Sequence, residues 1–198
     1  MDIVTDLVLV GALAVAWTAA GLVADGLPNS RTAAELRRRA GWLSALVIGG
    51  AAVFVAVPTV SWIRPGEQTA PTAALLAAIP GLVVLTVGVR RLGQVRRGAG
   101  AFATAPHTPL PPGLRAAAAH PLILVPMQVT GLAAMIGVPI AARLVEVPTS
   151  NVAGLATTIV GIAVLVIGVR AAVRHSRLSL LALAPIDRGR PRAPLSSR

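Results

Sequence analysis

The side chains able to do chemistry are few and far apart. Gln128 and Thr130 are the notable polar pair inside an apolar run, with Pro126 freeing a backbone carbonyl nearby. Such a pair either lines a small polar pocket or hydrogen-bonds a neighbouring helix, and the second is the commoner use of polar groups in apolar helices. His120 and His175 stand beside two different apolar runs, where they would be able to meet and share a metal or haem iron. Two histidines without a ligand-spacing motif are weak evidence for that, and a solvated interface is their ordinary place. His107 lies in a proline-rich stretch and says less. Arg64 and Glu67 repeat an Arg-x-x-Glu pattern found again at Arg143 and Glu146. As exposed ion pairs these are worth about 0.2–1 kcal/mol each; as a symmetric pair they would ring a pore mouth. Ser44 and Ser61 have no base or acid partner, and no glycine-rich phosphate loop follows a strand. The chain has no cysteine, which excludes disulfides, thiolate catalysis and cysteine-ligated metals. No catalytic, cofactor-binding or metal-binding set emerges, so an enzyme is the least supported class.

The elements that would position these residues are apolar blocks. Of 198 residues, 55% are hydrophobic and only 13% charged, against about 25% charged in soluble domains. The apolar residues form uninterrupted runs rather than amphipathic stripes, which marks a polytopic, all-α membrane protein. Spans are expected at about 7–24, 41–63, 71–89, 121–142 and 152–169. An amphipathic helix over about 170–184 would lie at the membrane surface, completing one transmembrane domain over 1–184, and a basic, disordered tail over 185–198 would follow it.

Local signals place the boundaries. Asp2 and Asp6 open the first span, where the helix dipole favours negative charge. Ala12, Ala16 and Ala20 give that helix a smooth side for close packing. Thr32 and Glu35 fit a capping box that opens a short polar helix carrying Arg37, Arg38 and Arg39. Trp42 and Trp62 bracket the second span, and twenty residues of helix separate them by about 30 Å, so they read as anchors in opposite interfaces. Pro58 should kink the outer third of that span. The stretch from Ala105 to Gly113 is an extended, semi-rigid connector. Pro126, Gly131, Gly137 and Pro139 make the fourth span the least regular. No Asp, Glu, Lys, Arg or His lies within any expected span, which weakens a proton-coupled pump or an intramembrane hydrolase.

Alternating the loops across a bilayer puts sixteen of the eighteen arginines on one side and two, Arg64 and Arg143, on the other. The positive-inside rule then sets the N-terminus outside and the C-terminus in the cytoplasm, in the plasma membrane. The same placement speaks against nucleic acid as the reason for a net charge of +11, because no aromatics are interleaved with the arginines.

The phrase Val84-Leu85-Thr86-Val87-Gly88-Val89-Arg90 recurs as Val164-Leu165-Val166-Ile167-Gly168-Val169-Arg170, with five of seven residues identical. Together with Pro58 and Pro139 at matching positions, it suggests a tandem helical-hairpin repeat of spans two/three and four/five. Gly81 and Gly88, and Gly154, Gly161 and Gly168, keep a seven-residue spacing, so each row shares a face expected to pack against a neighbouring helix. The expected function is that of a non-enzymatic accessory, scaffold or regulatory membrane subunit. Its basic cytoplasmic face would hold anionic lipid headgroups or an acidic protein partner. The alternative is a small pseudo-symmetric transporter or channel, dimeric because five helices enclose little volume. No cofactor is expected; a membrane protein partner or a second copy of the chain is.

Overall fold

A helix satisfies its own backbone, so a chain made of long apolar runs folds as a set of rods. The structure is a computed structural model describing residues 2–63, 70–105, 107–144 and 150–183; at Asp2 and at 150–157 it describes the backbone alone. It contains five helices long and apolar enough to cross a membrane. Helix α1 (Asp2–Gly26) ends in a 3-10 turn at Leu27–Asn29, and α2 covers Ala33–Ile63. Helix α3 (Ala70–Val83) passes through a π turn at Val84–Gly88 into α4 (Val89–Gly100). The short α5 (Pro112–Ala118), α6 (Pro121–Ala141) and α7 (Ser150–Leu183) follow. Among the described residues there is no strand, only an isolated bridge between Thr32 and Pro109.

The capping box forms: the Glu35 N–H donates to Thr32 Oγ1 at 3.2 Å, and Glu35 Oε2 accepts the Arg31 N–H at 2.8 Å. It opens the second span itself, not a separate polar helix, since α2 runs unbroken past Arg37–Arg39. The third span likewise continues beyond its apolar part. Leu92, Val95 and Ala99 of α4 are buried where α4 packs on α2, and of the exposed arginines between them Arg96 donates to Ser44 Oγ of α2 at 3.2 Å. The proline-rich connector is pinned to the chain: Leu110 is buried and its N–H donates to Arg31 O at 2.9 Å.

At the centre, α1 and α6 make the most extensive contact, with α3 on α6 and α2 on α1. Trp17 sets the rotation of α1. Its indole is fully buried, 6.1 Å from the Phe54 ring, and lies over Gly50, where an added Cβ would come within 2.8 Å of it. The packed face is therefore Val10, Leu13, Trp17, Ala20 and Ala24. This corrects the expected alanine row: Ala20 is buried, but Ala12 is exposed and Ala16 half-buried. Asp6 is also buried, and its Oδ2 accepts the Ala70 N–H at 3.1 Å, so it caps α3 across the bundle as well as standing near the start of α1.

The π turn falls on the first copy of the repeated phrase. The Val89 N–H donates to Val84 O, five residues back instead of four. Pro80, four positions upstream of the turn, has no N–H to give the ladder, and such defects trace to identifiable residues. Thr86 Oγ1 donates to Leu82 O at 2.8 Å. The second copy is regular α-helix, with Leu165, Val166 and Val169 exposed. The two hairpins also pack differently: α6 is central where α2 is lateral, and α7 is peripheral, touching mainly α5 and α6. Helix α7 has 34 residues, about 51 Å at 1.5 Å each, and it contains no proline. The amphipathic segment expected from 170 continues from the fifth span without a break.

Candidate functional site

Gln128 and Thr130 lie two positions apart on one helix, about 200° around its axis, and α6 sends them to different neighbours. Thr130 is fully buried, donates to Pro126 O at 2.6 Å, and lies beside Gly81. Gln128 lies against α1, its Cγ 3.3 Å from where a Gly21 Cβ would stand. It lines an open hollow of about 220 Å³ with Thr18, Gly21, Leu22, Leu132 and Met135. The two side chains face different neighbours, because a spacing of two cannot keep one face of a helix.

The glycines divide in the same way. A Cβ on Gly81 would meet Phe54 at 2.9 Å, and one on Gly88 would meet Val84 at 3.5 Å and Leu122 O at 3.7 Å. At Gly161 and Gly168 nothing lies within 4 Å. That row faces away from the rest of the chain, because α7 is held through other residues. The surroundings of Gly154 lie outside the described side chains. The closest backbone approaches are at Gly131, 3.0 Å from Trp17 O, and Gly137, 3.1 Å from Ala73 O. In the sequence these two read only as irregularities of the fourth span. Their spacing to neighbours on other helices was the missing information.

Trp42, nine residues past the start of α2, and Trp62, one residue before its end, are 66% and 85% exposed, so both indoles face outward. Arg143 adopts φ 56° and ends α6 in a Schellman-type closure, with Arg143 N–H on Ile140 O and Leu144 N–H on Pro139 O. Arg64, Glu67 and Glu146 lie outside the described residues.

The two histidines do meet, with ring centroids 5.0 Å apart. His120 is the N-cap of α6: its Nδ1 accepts the Leu122 N–H at 3.2 Å, which leaves the ring proton of the neutral form on Nε2. His175 Nδ1 lies 3.0 Å from Ala116 O; a carbonyl only accepts, so His175 carries its proton on Nδ1. While His120 caps α6, its Nε2–H offers no lone pair to a metal. Among the described residues no group of three potential ligands gathers. The pair instead joins α7 to α5 and α6. Burial, then Arg91, then His175 hold the His120 pKa below its ordinary 6.5.

The most strongly charged region is the end of the bundle that holds the close of α1, the start of α2, α4 and the middle of α7. Glu35 pairs with Arg39 at 2.6 Å, and Arg39 also donates to Gly26 O. Asp25 takes both Arg170 at 3.0 Å and Arg174 at 2.9 Å. A carboxylate at a helix C-terminus is opposed by the dipole, and the two guanidiniums offset that. Arg174 also reaches Asn29 Oδ1 at 2.8 Å. Both described carboxylates at this end are thus engaged. Between α2 and α4, two adjoining hollows of about 490 and 420 Å³ share Arg37. Arg38, Arg96 and Arg97 line one or the other, and none of the four arginines is ion-paired among the described residues. Such a cleft suits phosphate or carboxylate oxygens.

Compared with family models, with curated proteins and with solved structures, the chain matches none.

Proposed function

We propose that the protein is a five-span plasma-membrane subunit of accessory, scaffolding or regulatory type, with its arginine-rich end in the cytoplasm. The observation that carries this reading is the cleft of Arg37, Arg38, Arg96 and Arg97, none of them ion-paired among the described residues. Guanidiniums at that level favour anionic headgroups or an acidic partner. The sixteen-to-two distribution of arginines supports the orientation. The repeated phrase supports an old duplication whose two halves have since taken different packing roles.

The transporter or channel reading has less support. The bundle centre is filled by Leu13, Trp17, Met127 and Thr130, all buried, so a route would have to form between protomers. Extraction in mild detergent tests the proposal. Retention of anionic lipid or of a stoichiometric partner, lost on replacing Arg37, Arg96 and Arg97 with glutamine, is the expected result. A lone protein without bound lipid, or solute flux in liposomes, would count against it.

A further inference from the structure

We propose that Gln128 lies on the two-fold axis of a homodimer, the hollow between α1 and α6 being the contact surface for a second copy of this chain. The inference rests on the membrane placement argued above. Gln128 is half-buried at the hollow, and among the described residues its amide has no hydrogen-bond partner. Thr18 Oγ1, beside it, is buried and also unpartnered. An amide left unpaired in hydrocarbon is costly, because no water is present to take its bonds.

The occupant follows from the chemistry of the group. A carboxamide is donor and acceptor at once, so two facing glutamines bond each other reciprocally. Two copies of one chain inserted the same way carry Gln128 at the same depth. An axis along the membrane normal therefore brings the two amides together, and a closed two-fold pair is the commonest oligomer. A foreign helix would need its own polar group at that level. The floor of the hollow is the α1–α6 contact at Gly21 and Gly131, and the apolar Leu22 and Met135, 70% and 53% exposed, stand at its sides. The outward Gly161/Gly168 row of α7 has no polar group of this kind to specify a partner.

The absence of cysteine makes the test clean. Leu132→Cys, Met135→Cys and, as a control outside the hollow, Gly161→Cys on α7 are placed singly in the full chain and oxidised in native membranes. Resistance of the protein to carbonate extraction reports insertion separately. The expected result is disulfide dimer from Leu132→Cys or Met135→Cys and little from Gly161→Cys. Adding Gln128→Leu should weaken dimerisation about tenfold, the scale of one or two interhelical hydrogen bonds, and Gln128→Asn should retain part of it. A carbonate-resistant protein with no cross-link at 132 or 135, or with a cross-link at 161 instead, overturns the dimer. A cross-link indifferent to Gln128→Leu overturns the role of the amide. Loss of carbonate resistance in the parent chain would refute the membrane placement itself.

Discussion

Replacing Gly131 by alanine should destabilise the protein, while the same replacement at Gly161 should stabilise it. A Cβ at Gly131 would lie 3.0 Å from Trp17 O and 3.1 Å from both Thr18 N and Thr18 Cα. These are backbone atoms of α1, with Trp17 fully buried behind them, so relief requires moving one helix away from the other. Overpacking of this kind costs about 1–3 kcal/mol, and the intrinsic preference of a helix for alanine over glycine returns only about 0.5–1 kcal/mol. Gly161 meets nothing within 4 Å, so there only the propensity gain of about 0.5–1 kcal/mol should show. The two variants differ by the same single methyl group, and their midpoints in a denaturing-detergent titration should move in opposite directions, about 2 kcal/mol apart. A Gly131→Ala protein as stable as the parent would refute the close approach of α1 and α6. A Gly161→Ala protein destabilised to a similar degree would show that α7 is packed on that face after all.

Other outcomes follow from single contacts. Asp6→Ala removes the carboxylate that caps α3 at Ala70 and should cost about 0.5–2 kcal/mol, with Asp6→Asn largely restoring the loss. His120 titrates below 6.5 in the folded chain. As pH falls through 6.5 the unfolded chain binds a proton that the folded chain does not. Stability should therefore be unaffected above that value, decline below it, and level off beneath the folded pKa. Thermal melts of His120→Asn, which keeps a capping oxygen, should lack that component. Asp25→Ala leaves Arg170 and Arg174 without their shared carboxylate and should loosen α7 by about 1 kcal/mol, read as faster proteolysis at Arg174 and Arg177 with no change at Arg96.

That five helices are long and apolar enough to cross a membrane was legible in the sequence alone, because a run of some twenty apolar residues is a local property of composition and length. The Thr32/Glu35 capping box was equally legible, since a cap needs residues only three apart. Rotation was not. Which side of α1 faces inward depends on Trp17 finding Gly50 on another helix, so the alanine row that composition suggested is only partly the buried one. The same limit parted Gln128 from Thr130 and left Gly161 and Gly168 outside while Gly131 and Gly137 touch backbone. The repeated phrase shows it most directly. Five shared residues in seven become a π turn after Pro80, with Val84 and Gly88 buried, and a regular α-helix at Val164–Arg170 with none of the seven buried, because the shape of a helix defect answers to its upstream proline and its neighbours, and those belong to the tertiary structure.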